Sequence, residues 1–285
     1  MFVFPTASKT TDHRRISDAR KTLAHHGKSF HWATHFFPRE TAADVATLYA
    51  FCRQVDDIAD HAKPEEANHI LGRIRGDLMA GKSRLPSVTA FIELRRQYRI
   101  DPRIPEILID TLRRDAGPVR IATWDQLVRY AYGVASTVGL MMCPIMGVRR
   151  KIALPFAIDL GIAMQLTNIA RDIVEDAHQD RIYIPAEMLE PGVNITRIVR
   201  DRRVVSTLTR ARQVLLERAA AYYRSAELGM RYIPLRPRLA VLTAARLYEA
   251  IGRRILSGSV SWGERAFVDK KGKSKGTFAA IGSYL

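Results

Sequence analysis

Apolar residues recur every three or four positions along most of this chain. The strict alternation that a half-buried strand needs hardly appears. Read with its stop signals, the pattern predicts a helix from Ser17 or Asp18 to Pro38 and a second from Thr41 to about His61. Thr41, with Asp44 three residues later, resembles a capping arrangement, and Pro64 lies behind. Further helices are expected over Glu65–Ala80, Ser87–Tyr98, Ile104–Asp115 and Trp124–Met142, then Ile152–Ala177, Ser206–Gly229 and Arg238–Leu256. The connections are short and carry Pro or Gly, as at Pro86, Pro102, Gly117-Pro118, Pro185 and Pro191-Gly192. No Gly/Ser linker, low-complexity stretch or internal repeat divides the sequence. The expectation is one all-α domain over residues 1–285, with a short N-terminal extension and a basic C-terminal tail.

With 285 residues, 47% of them apolar, the chain can bury a large core. Its two cysteines, Cys52 and Cys143, lack metal-ligand spacing and cannot build a disulfide framework, so a reducing cytoplasm is expected. Met1 to Pro5 show no basic signal-peptide start. The longest apolar stretch, Val138 to Val148, is interrupted by Pro144 and falls short of the roughly 20 residues of a membrane span.

The formal charge of +16 attracts polyanions of several kinds. Much of it is Arg spread along helices, but Lys270, Lys271, Lys273 and Lys275 cluster among Gly and Ser near the end. No zinc finger or RNP element accompanies them, so nucleic acid is not an expected partner. An anionic membrane surface is, and the chain is expected to be cytoplasmic and peripherally attached through this tail.

Against that basic background stand two carboxylate runs, Asp56-Asp57-Ile58-Ala59-Asp60 and Asp172-Ile173-Val174-Glu175-Asp176. Four positions is about one helical turn, so each outer pair projects from one face. Tyr49, Arg53, Asp56 and Asp60 fall within roughly a 60° arc, and Gln165, Asn168, Asp172 and Asp176 within roughly 80°. A solvated face would also be polar. These stripes, however, are made of short side chains without the long Lys and Glu of an exposed surface. Buried carboxylates need partners, and oxygen ligands of this kind hold Mg²⁺ together with waters and substrate phosphates. The residues point to a magnesium-dependent enzyme acting on a diphosphate. His31 and His35 are spaced like a zinc pair but have no evident third ligand.

The surrounding motifs are more specific. Leu48 to Asp60 resembles the first signature of the squalene/phytoene synthase family, and Gln165 to Asp176 followed by Asp180-Arg-Ile-Tyr-Ile-Pro185 resembles the second. Tyr130 to Gly139 resembles the family's middle helix, His26 to Phe30 its N-terminal segment, and Arg265 to Lys270 a C-terminal basic element. The resemblance spans roughly His26 to Lys275. It implies an all-α isoprenoid-synthase bundle with a central cavity that joins two identical prenyl diphosphates head to head.

The same resemblance implies roles. Asp56, Asp60, Asp172 and Asp176 would bind several Mg²⁺ ions, with Mn²⁺ an acceptable substitute and Asn168 assisting. Lys28, Ser29, Arg53, Arg171, Arg265 and Lys273 would hold the diphosphates. Tyr130, Gln165 and Tyr248 would lie near the reacting carbons, and Val134 to Met146 could line the cavity or simply pack. Ser136 stands where the family's middle motif usually has Gly, which would narrow or repolarise the cavity. The motifs look most like those of bacterial phytoene synthases, which use geranylgeranyl diphosphate and need no NADPH. The alternative is a squalene or dehydrosqualene synthase using farnesyl diphosphate. A small residue at Thr34, expected beside the lipid tunnel, favours the longer C20 chain. A diphosphate hydrolase or terpene cyclase would use the same metals on one substrate molecule. A non-enzymatic basic helical protein binding membrane or nucleic acid would bind without magnesium and weaken steeply with salt.

Overall fold

The computed structural model describes residues 37–193, 195, 202–258 and 262. Its helices are α1 (Arg39–His61), α2 (Pro64–Ala80), α3 (Pro86–Gln97), α4 (Arg103–Asp115) and α5 (Trp124–Ala131). They continue as α6 (Thr137–Ile145), α7 (Leu154–His178), α8 (Arg202–Gly229) and α9 (Leu235–Leu256). The expected helices are therefore present with shifted ends, except that from Ser17 or Asp18 to Pro38, which lies outside the described residues apart from its last two positions.

The shifts have local causes. Helix α1 starts at Arg39 behind Pro38, and no side chain caps it. The expected Thr41–Asp44 cap does not form, because Thr41 already lies inside the helix; the Asp44 carboxylate instead accepts a 2.6 Å hydrogen bond from the Tyr98 hydroxyl just beyond α3. Prolines open α2 and α3, where a missing N–H costs nothing. Gly81 closes α2 at φ +68°, the left-handed conformation that glycine adopts without penalty.

The expected single helix over Trp124–Met142 is instead three pieces. Thr123 caps α5 by accepting from the Gln126 amide. A π-helical turn, Tyr132–Ser136, then widens the backbone before α6. Such turns insert one residue and often stand at functional sites. Two parallel two-residue strands, β1 (Val119–Arg120) and β2 (Arg181–Ile182), pair Val119 with Arg181 and Arg120 with Ile182. They clip the segment after α4 to the segment after α7.

The core is built in two parts. One is formed by α1 to α4 and α6 around Phe51, Leu71, Phe91, Ile109 and Met141, with the Phe51 and Phe91 rings stacked at 3.9 Å. The other gathers Leu166 of α7, Leu208 and Leu215 of α8 and Ile251 of α9. Between them runs a cavity lined from both sides, by Leu48, Leu112 and Met142 on one and by Met164, Ala226 and Ile251 on the other. Helix α7 lies in a segment long and apolar enough to cross a membrane by length and hydropathy alone. Here it packs Leu166, Ile169 and Ile173 into the second core and turns Leu160, Met164 and Gln165 to the cavity.

Candidate active site

The cavity has a volume of about 840 Å³, near the top of the range for small-molecule sites. One end is polar and the rest is not. Arg53 and Asp56 of α1, Tyr130 of α5, Asn168 and Arg171 of α7 and Tyr248 of α9 meet at the polar end. Gln165 lines the wall one turn before Asn168. Val134, Ala135, Val138, Gly139, Met142 and Met146 of the middle segment line the cavity, so the stretch from Val134 to Met146 serves as wall as well as packing.

The two carboxylate runs approach this end from different helices. Arg53 lies 3.3 Å from Asp56 and also pairs with Asp57. Arg171 forks onto Asp172, with Nε 2.7 Å from one carboxylate oxygen and Nη2 2.5 Å from the other. Asp60 and Asp176 stand one turn further along their helices, where Asp60 accepts from Arg181. Asp57 and Glu175, off the main arcs, respectively pair with Arg53 and add negative charge near Asp176.

Crowding of like charge dominates the electrostatics. Burial, then the neighbouring Asp60, pushes the Asp56 carboxyl up to about 7. Its side chain keeps 46% exposure because it faces the cavity rather than bulk water. Burial, then Asp172 and Glu175, pushes Asp176 up to about 8. Carboxylates so placed are electrostatically unsatisfied without a cation. Asn168 Oδ1 is buried with no hydrogen-bond partner, an oxygen donor facing the same end. These residues fit a hard divalent cation. Among the described residues no three His, Cys, Asp or Glu side chains converge as a closed metal cage. Mg²⁺ usually takes one or two protein carboxylates and completes its shell with water and phosphate oxygens.

A second layer was not legible in the sequence. Asp115, the last residue of α4, is 6% exposed and accepts hydrogen bonds from Tyr130 at 3.0 Å and from Tyr183 at 2.9 and 2.8 Å. The two tyrosine rings stack at 4.7 Å. Burial raises the Asp115 carboxyl above its ordinary range, against the pull of the Tyr183 hydroxyl and Arg181. Arg181 and Tyr183 sit in the Asp180–Pro185 run, to which the family resemblance attaches no role. Asp115 carried no motif at all.

Ser136 corrects an expectation. It neither narrows nor repolarises the cavity, because its hydroxyl points away and donates to the Ile158 carbonyl at 2.7 Å. Gly161 of α7 accommodates it: a Cβ there would lie 2.5 Å from Ser136 Cα. Lys28, Ser29, Arg265 and Lys273, with Thr34, His31, His35 and the other tail lysines, lie outside the described residues.

The squalene/phytoene synthase family model matches residues 23–269. The chain is 35% identical over 284 residues to the phytoene synthase of Pseudescherichia vulneris, covering 95% of this chain and 92% of that protein. It is 37% identical over 259 residues to the 15-cis-phytoene synthase of Enterobacter agglomerans, covering 84% and 85%. In structure it is similar to a dehydrosqualene synthase in complex with ligand, with a TM-score of 0.83 at 25% identity over 96% of this chain and 98% of that one. A squalene synthase of Alicyclobacillus acidocaldarius gives a TM-score of 0.73 at 26% identity over 88% and 95%.

Proposed function

The chain belongs to the squalene/phytoene synthase family, and on that premise we propose that it condenses two geranylgeranyl diphosphates head to head to phytoene. The observation that carries this reading is the single long cavity with its cationic and carboxylate groups at one end. Along α7 it runs from Phe156 to Arg171, roughly 22 Å of helix at 1.5 Å per residue. Its body is apolar and lined by packed helices. Two named relatives at 35% and 37% identity are phytoene synthases.

Asp56, Asp60, Asn168, Asp172 and Asp176 would hold Mg²⁺, which when bound stabilises the charge that develops on a departing diphosphate. Arg53 and Arg171 supply fixed positive charge at the same end, and already lean on the carboxylates they would share with substrate. Ionisation of the first diphosphate leaves an allylic cation. The double bond of the second substrate attacks it, and loss of a proton to the released diphosphate closes the ring of a cyclopropylcarbinyl diphosphate. A second ionisation, rearrangement and loss of a second proton give phytoene, with released diphosphate as the base and no NADPH.

The apolar walls keep water from the cation, so it partitions to product rather than to alcohol. Tyr130 lines the cavity, held by its hydroxyl's hydrogen bond to Asp115 and by the stacked Tyr183. Gln165 and Tyr248 border the same space.

The test is product identity. Purified chain is incubated with Mg²⁺ and the C20 or C15 diphosphate, with and without NADPH, and the hydrocarbon is analysed by mass. Phytoene from the C20 substrate, unaffected by NADPH, supports the reading. Squalene or dehydrosqualene from the C15 substrate alone would move the chain to the other branch of the family. Product from a single substrate molecule would replace it with a hydrolase or cyclase.

A further inference from the structure

At the end opposite the carboxylates the cavity reaches Phe156, Gly229, Met230 and Ile233. Phe156 is wedged there: a Cβ on Gly229 would lie 2.3 Å from the Phe156 Cβ, so this approach requires glycine. The Phe156 ring stacks on Tyr232 at 6.1 Å and 19°. The guanidinium carbons of Arg150 and Arg231 stand 5.3 and 5.1 Å from the Tyr232 ring centre. Two aromatic rings, the outer one flanked by cations, therefore separate the apolar end of the cavity from the surface.

That surface is unusual. Among the described residues, five large apolar side chains are exposed, and three of them flank this partition: Ile152 at 55%, Leu228 at 61% and Leu235 at 62%. Arg149, Arg150, Lys151, Arg231 and Arg236 are exposed around them. Neither Gly147 to Phe156 nor Leu228 to Arg238 contains an Asp or Glu. The two stretches touch, as the Phe156–Tyr232 and Arg150–Tyr232 contacts require.

We infer that this end of the bundle docks on an anionic lipid bilayer, with Ile152, Leu228 and Leu235 entering the interface and the surrounding Arg and Lys meeting the headgroups. Exposed apolar residues ringed by cations are the composition of an interfacial anchor. Each cation near an anionic leaflet adds attraction. A second copy of this chain fits poorly, since a two-fold contact here would set five cations against five. A nucleic acid would leave the three apolar side chains without a role.

The inference rests on the proposed reaction for its purpose. A hydrocarbon product has no soluble route, and the Phe156–Tyr232 partition is the part of the described wall that faces this surface. The expected anchor was the lysine tail, whereas this patch lies on the folded bundle.

The test uses the full chain and co-sedimentation with vesicles of phosphatidylcholine alone or mixed with phosphatidylglycerol. The triple variant Arg149→Gln/Lys151→Gln/Arg236→Gln should bind the anionic vesicles about a hundredfold more weakly. Leu228→Ser/Leu235→Ser should also weaken binding, and Lys271→Gln/Lys275→Gln should not. Detergent-solubilised activity of the patch variants should stay within about twofold of wild type, because none lines the catalytic end. Binding is read without substrate, so it stands or falls separately from the condensation reaction. Equal binding to both vesicle types, loss only in the tail variant, or a dimer that Leu228→Ser/Leu235→Ser converts to monomer would each overturn the inference.

Discussion

Arg181 donates Nη1 to Asp60 at 2.5 Å across 121 positions of sequence, and Nη2 to the Ala59 carbonyl at 3.0 Å. The last turn of the helix bearing the first aspartate run is thereby tied to the strand that follows the second. The pair fixes the two runs relative to each other before any ligand arrives. The Arg181 side chain is 9% exposed and Asp60 32%, between a surface pair and a buried one.

Removing Arg181 should therefore cost more than an exposed pair does. Arg181→Met leaves Asp60 beside Asp56 with no counter-charge, and an expected loss of about 2–3 kcal/mol lies between the exposed and buried ranges. Urea denaturation of the purified variant measures it. An unchanged midpoint would show that the pair positions nothing.

Asp115 should matter for rate more than for binding. Asp115→Leu strands the Tyr130 and Tyr183 hydroxyls and removes a partner charge from Arg181. Turnover is expected to fall by ~10²-fold or more as Tyr130 loses its fixed position, with KM changing much less. Asp115→Asn, which can still accept one of the two hydroxyls, should recover part of the loss. A rise in KM with kcat intact would instead mean that Asp115 shapes substrate binding.

Gly161 should not tolerate a methyl group. A Cβ there would meet Ser136 Cα at 2.5 Å, Ser136 N at 2.6 Å and the Ala135 carbonyl carbon at 2.8 Å, all of them backbone. Gly161→Ala is expected to cost at least the ~1–3 kcal/mol of core overpacking and to displace α7, which carries Asn168 two turns on. Gly76→Ala, with nothing within 4 Å, should instead be neutral or stabilising by up to ~1 kcal/mol. Equal melting temperatures for the two variants would contradict the close approach of α7 to the π-helical turn.

The carboxylates predict a pH dependence whose sign is unusual for acidic groups. Asp56 and Asp176 hold their protons up to about 7 and about 8 when folded, against about 4 in an unfolded chain. Between those limits the folded state binds more protons, so this contribution to stability is lost as pH rises. In chelator, stability should fall from about pH 5 to about pH 8, and added Mg²⁺, which favours the ionised carboxylates, should reduce the fall. The double variant Asp56→Asn/Asp176→Asn should lack this component. A wild-type slope equal to that of the double variant would show that the two groups titrate normally.

Much of this was readable from the residues. Periodicity with Pro and Gly punctuation located the described helices, and the turn spacing of Asp56 with Asp60 and of Asp172 with Asp176 pointed to paired carboxylates. Two-residue strands have no period to detect. Tyr132–Ser136 reads as ordinary helix, because its close approaches, Gly133 to Thr111 and Ser136 to Gly161, are made with residues distant in sequence. Asp115 is a lone acid at a helix end, and nothing local announces the two tyrosines it receives from later in the chain. Ser136 misled for the same reason, since its side-chain direction is set by α7.

The central claim is that two helices place their carboxylates around one magnesium-dependent diphosphate site at the end of one apolar cavity. Its most direct test is hydrocarbon formation from geranylgeranyl diphosphate by wild type, Asp56→Asn and Asp172→Asn across a Mg²⁺ titration, with circular dichroism on each protein. Formation should require Mg²⁺ in wild type and fall by at least ~10³-fold in either variant, since charge stabilisation of the departing group is usually the largest single contribution, while helicity is unchanged. Near-normal turnover by either folded variant, or wild-type turnover in chelator, would contradict the account.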